Sequence, residues 1–155
     1  MKTLSIIIFL IICTLVLHSE EHKYNFSLPC DSLSTQAAMN NCSYEKYKLI
    51  DSVVSSKFDC IVSYLESQKN KSIAKKDKYM IDYFDKVINS LIISHHKWKE
   101  LSNANMEIAH NYYKGGSIRP LMVNVSAIKD ALNRLSKLDS IIVMLVGDEN
   151  QDFCK

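Results

Sequence analysis

Few side chains in this sequence stand where they could do chemistry together. His95 and His96 are adjacent, and a histidine can exchange a proton near neutral pH or offer a ring nitrogen to a metal ion. Neighbours on a helix point about 100° apart, however, so the two rings do not converge on one ion, and His110 lies about four turns further on. A surface or half-buried structural place is the expectation for the pair. Asp82 and Asp85 could form a carboxylate couple for glycoside chemistry, but two acids so spaced on a helix read as a solvated face. No Cys-x-x-Cys, P-loop, Gly-x-Gly-x-x-Gly, Gly-x-Ser-x-Gly or His-Glu-x-x-His pattern occurs. The chain is therefore read as non-catalytic, with no metal site and no cofactor.

The cysteines carry more information once the N-terminus is read. Lys2 precedes an almost unbroken apolar run from Leu4 to Leu17, and His18-Ser19-Glu20-Glu21 then turns polar. Such a run is too short to span a bilayer, which takes about 20 residues, and has the form of a signal peptide over residues 1–19. Export to a periplasm or to the exterior follows. Cleavage removes Cys13 and leaves Cys30, Cys42, Cys60 and Cys154, an even number in an oxidising compartment, where disulfides are the default. Four cysteines allow three pairings, and spacing alone does not choose among them.

The elements that must position these residues are helical. The chain is 47% hydrophobic and 23% charged, with three Gly and two Pro in 155 residues, which excludes disorder, collagen-like repeats and a turn-rich all-β fold. Asn25 to Leu33 is irregular, Ser34 is a candidate helix cap, and no further Gly or Pro occurs before Gly115. Apolar residues recur at helical spacing from Met39 to Leu65, from Tyr79 to Tyr112 and from about Val123 to Val146. Ser140 to Val146 has strand propensity but continues a helical period. The expectation is an all-α fold, a bundle of about three long antiparallel helices, with joints near residues 68–78 and 114–122. Residues 20–155 form one domain, ending in a short acidic tail from about 147.

Charge narrows the partners. Without the leader the chain has eighteen basic and seventeen acidic residues, a balance that gives no nucleic-acid or membrane-surface signature, and no stable membrane insertion is expected after cleavage. Lys69, Lys71, Lys75, Lys76 and Lys78 concentrate in the first joint, with Asp77, Asp82 and Asp85 close behind, and read as a solvated connection. Sequons at Asn25, Asn41, Asn70 and Asn124 are of the kind an Asn- and Ser-rich chain produces by chance.

The string Cys30-x-x-x-x-Thr35-Gln36-x-x-Met39-Asn40-x-Cys42 resembles the opening signature of the LprI-type lysozyme-inhibitor family of small exported bacterial proteins. Asp51, Val54-Ser55 and Phe58 fall where that family tends to have Asp, Leu-Asn and Tyr, and Trp98 falls on its later Trp. Tyr113-Lys114-Gly115-Gly116-Ser117 is similar to its Tyr-x-Gly-Gly-Ser turn, and Arg134 with Leu138 to its final Arg and Leu. The resemblance spans about residues 30 to 140. Departures are Ala38 in place of Glu, Ser102 to Met106 in place of an Arg-Asp and a Cys, and no Cys between Ile118 and Ile128. Two cysteines lost together is the loss expected of a bonded pair.

The resemblance implies a Cys30–Cys42 bond that staples the N-terminus, and elimination then pairs Cys60 with Cys154. It also implies an interaction protein with a lysozyme as partner, one that places a protruding segment across a cleft of catalytic carboxylates. The second joint is the candidate segment. Gly115 and Gly116 permit a tight turn, Pro120 stiffens the exit, Ser117 and Arg119 offer a hydroxyl and a guanidinium, and Tyr112 and Tyr113 add aromatic area. The plain alternative is a helix-ending turn with Arg119 in solvent. Such inhibitors gain association rate from acidity, and the acidic clusters here are the C-terminal tail and the Asp82/Asp85 face. The second functional reading is an envelope protein that binds a cell-wall fragment or envelope partner and inhibits nothing.

Overall fold

The computed structural model describes residues 29–147 and Cys154. One short turn of 3-10 helix at Cys30–Ser32 leads into three helices, α1 (Gln36–Ala74), α2 (Lys78–Tyr112) and α3 (Arg119–Val146). The joints are too short for anything but antiparallel neighbours, and the three helices form an all-α bundle with every pair in contact. No described helix is long and apolar enough to cross a membrane.

Helix α1 starts one residue later than the Ser34 cap predicts. Thr35 takes the cap position in extended backbone, and its hydroxyl accepts from the Ala38 amide at 3.2 Å. At its far end α1 runs through the polar stretch after Leu65 instead of stopping there. Nothing in Ser67 to Ala74 breaks a helix, and Lys69 bridges Glu66 on its own helix and Asp85 on α2. The first joint therefore shrinks to residues 75–77, and Lys69 and Lys71 belong to the helix. Asp77 caps α2 by accepting from the Met80 amide at 3.1 Å. Ser140 to Val146 is helical, and Gly147, at φ +80°, closes α3.

Burial follows helical spacing more strictly than hydrophobicity does. On α1 the buried face reads Ser43, Ile50, Val54, Lys57, Ile61, Leu65 and Ser72, while Leu49, next to it in sequence, is exposed. On α3 it reads Ala127, Ala131, Arg134, Leu135, Leu138 and Ile142, and the two fully buried alanines let that helix lie close to its neighbours. Helix α2 contributes Ile88, Leu91, His95 and Ser102, while Tyr79, Leu101, Ile108 and Tyr112 of its expected stripe face solvent. Truncating Leu135 or Leu138 to Ala in such a core costs about 2–5 kcal/mol.

Two disulfides close the fold. Cys30 is bonded to Cys42 across 12 residues and Cys60 to Cys154 across 94. The expected signal peptide, residues 1–19, and the acidic stretch 148–152 lie outside the described residues. Of the sequons, Asn41 and Asn70 are exposed, Asn124 is half-buried and engaged in hydrogen bonds, and Asn25 is outside the described residues.

Candidate partner-binding end of the bundle

The turn that carries the predicted binding residues spans 113–118 and is built from short local bonds. The Gly116 amide donates to the Tyr113 carbonyl at 3.1 Å, and the Arg119 amide to the Gly116 carbonyl at 3.2 Å. Gly115 sits at φ +87°, in the left-handed region that favours glycine. Gly115, Gly116 and Ser117 are exposed and Tyr113 is half-buried, with its ring edge-on to that of Tyr112 at 4.9 Å. Arg119 is not a loop residue. It is the first residue of α3, with Pro120 beside it in the first turn, where a missing amide hydrogen costs nothing. Arg119 is half-buried and has no carboxylate partner among the described residues.

Sequence reasoning did not foresee what holds this turn. The Asn40 side chain on α1 donates to the Ser117 carbonyl at 3.3 Å and is itself held by Gln36, whose amide donates to Asn40 Oδ1 at 2.9 Å. Asn124 on α3 donates to the Asn40 carbonyl at 3.3 Å and to the hydroxyl of buried Ser43 at 2.9 Å. Asn40 lies two residues from Cys42, so one end of the bundle gathers the Cys30–Cys42 bond, the start of α1 and the Gly-Gly-Ser turn. Helix spacing places Asn40 and Ser43 on nearly the same face, but no sequence signal names their partners across 77 and 81 residues.

Beside the turn, α2 and α3 leave an open groove of about 380 Å³ lined by Asn105, Ile108, Tyr112, Tyr113, Lys129 and Asp130, among others. Asn105 donates to the Asp130 carboxylate at 3.0 Å, and the Trp98 indole to the Asp130 carbonyl at 3.2 Å, so its polar floor is fixed before anything binds.

Further along the bundle lie the titratable residues that drew attention in the sequence, with His96 and His110 exposed. His95 is only 8% exposed, more buried than expected, and stacks on Phe58 with ring centroids 4.0 Å apart. Burial, then the nearby Arg134 charge, lower its pKa to about 4, so the ring is neutral at pH 7. Arg134, 6% exposed, lies over the Trp98 ring at 5.9 Å and donates to the Ser94 hydroxyl at 3.0 Å; burial depresses its pKa. Lys57 and Asp139 form a largely buried ion pair between α1 and α3. Asp82 pairs with Lys86 and Asp85 with Lys69, which removes that face as a free acidic cluster. No group of three or more potential metal ligands exists among the described residues. Comparison of the chain with protein families, with curated proteins and with solved structures finds no match.

Proposed function

We propose that this chain is an exported helical protein-binding domain of LprI type, non-catalytic, that blocks a lysozyme cleft by contact through the 113–119 turn. The observation that carries the reading is the Asn40–Ser117 bond. Residues that resemble one family's opening signature and its Gly-Gly-Ser turn are far apart in sequence and meet at one end of the fold. Trp98 and Arg134, two more residues of the resemblance, also meet. A turn braced from α1 and α3 loses little conformational freedom on binding, and Ser117 and Arg119 present the donors that a carboxylate-bearing cleft accepts.

The test is inhibition and binding by the oxidised chain from Glu20 to Lys155 against animal-type, invertebrate-type and goose-type lysozymes, at low and physiological salt. A stoichiometric inhibitory complex with any one, weakened by Arg119→Ala or Ser117→Ala, supports the reading. Silence against all three rejects it.

The groove gives the second reading its own support. Aromatic faces beside an amide and a carboxylate suit a cell-wall saccharide, so Tyr112, Asn105 and Asp130 would hold an envelope fragment without inhibition. Titration with soluble peptidoglycan fragments, monitored through the amides around Trp98 and Tyr112, separates the two.

A further inference from the structure

The overall charge balance hides a local imbalance at the other end of the molecule. Between Lys69 and Tyr79 there are five lysines and one acid, Asp77, whose carboxylate is engaged in capping α2. Lys69 is neutralised by Glu66 and Asp85, whereas Lys71, Lys75, Lys76 and Lys78 form no ion pair among the described residues and are exposed. Interleaved with these lysines in sequence are two apolar side chains that the fold leaves in water, Ile73 at 48% exposed and Tyr79 at 78%.

The backbone adds an independent sign. The Lys76 amide donates to the Ile73 carbonyl at 2.9 Å and the Asp77 amide to the Ser72 carbonyl at 3.0 Å, the paired bonds of a Schellman helix end. That motif requires a left-handed residue, usually glycine, and here it is Lys76 at φ +56°, the one non-glycine residue with positive φ among those described. A lysine thus stands at the apex of the joint where the backbone favours glycine.

We infer that this joint is a peripheral membrane contact, docking on an anionic phospholipid surface. Unpaired lysines meet lipid phosphates, while Ile73 and the Tyr79 ring enter the headgroup boundary, where a ring with a polar hydroxyl sits well. A polyanion without an apolar layer would leave Ile73 unused. The joint and the Ser117 turn lie at opposite ends of α1, roughly 50 Å apart at the helical rise. Docked by the joint, the molecule holds its other end away from the bilayer.

Cosedimentation of the oxidised chain from Glu20 to Lys155 tests this, with vesicles of phosphatidylcholine alone and of equal parts phosphatidylcholine and phosphatidylglycerol. Partition to the anionic vesicles alone is expected, falling steeply as salt rises. A surface lysine contributes about fivefold to partition, so changing Lys71, Lys75 and Lys78 to Gln and Lys76 to Gly lowers it by two to three orders of magnitude at low salt. Lys137→Gln, on α3, leaves it nearly unchanged. Lys76→Gly alone lowers it about fivefold while removing a backbone strain, so unfolding cannot account for the loss. Tyr79→Ala should weaken binding several-fold at every salt concentration. Equal partition to neutral vesicles, no partition at low salt, or anionic binding that survives the fourfold change overturns the proposal. So does lysine-dependent binding of a single-stranded oligonucleotide without vesicle binding.

Discussion

The side-chain amide of Asn40 and the main-chain carbonyl of Ser117 are joined at 3.3 Å across 77 residues, so the Gly-Gly-Ser turn is held from another helix. Asn40→Ala removes that brace and strands the Gln36 amide. A stability loss of about 1 kcal/mol is expected, with faster amide exchange confined to residues 115–118. Uniform acceleration across all three helices would show that the bond serves the whole bundle instead.

The neutral ring of His95 makes stability depend on acid. In the unfolded chain a histidine binds a proton near pH 6.5, and in the fold only near pH 4. The unfolded state therefore binds more protons between those values. Stability is complete above about pH 6.5, falls as the pH drops to about 4, and loses about 3 kcal/mol over that window. Urea midpoints measured across it should trace this slope, and His95→Leu should flatten it.

Lys57 and Asp139 are paired in a poorly solvated place, so removing one charge takes the ion pair away from the other. Lys57→Met or Asp139→Leu alone should cost about 3–5 kcal/mol, and the double variant clearly less than the sum. Additive losses in a denaturant double-mutant cycle would mean that the two groups are stabilised separately.

At Lys76 the prediction runs toward greater stability. Replacing a left-handed lysine by glycine relieves about 1 kcal/mol of backbone strain, offset in part by the greater freedom of glycine in the unfolded chain. A raised thermal midpoint for Lys76→Gly, beside an unchanged one for Lys75→Gly or a lowered one, is the expected pattern.

The helices were legible because long stretches without Gly or Pro keep a 3.6-residue period, and a period survives errors about individual residues. Their limits were less so. Polarity in Ser67 to Ala74 resembled a connection, yet a helix extends wherever its backbone bonds are satisfied and a neighbour such as Asp85 meets its side chains. Within the stripes, Leu49 and Ile50 have similar claims on hydropathy, and only the packing of the bundle leaves one exposed and buries the other. The glycines announced the turn at residues 115–116, but the polar contacts that fix it depend on three-dimensional neighbours. The same holds for Lys57 and Arg134, whose burial on otherwise apolar faces has no local signature.

The Cys60–Cys154 bond also determines how the molecule bears tension. A pull applied between residues near Cys42 and the C-terminus travels along α1 to Cys60 and crosses directly to Cys154. Helices α2 and α3 lie on the closed loop and carry none of it. Roughly 300 Å of contour is withheld from extension while the bond is intact. A protease cut in either joint likewise leaves one covalent molecule, since both joints lie inside the ring, whereas a cut between Cys42 and Cys60 releases the N-terminal piece.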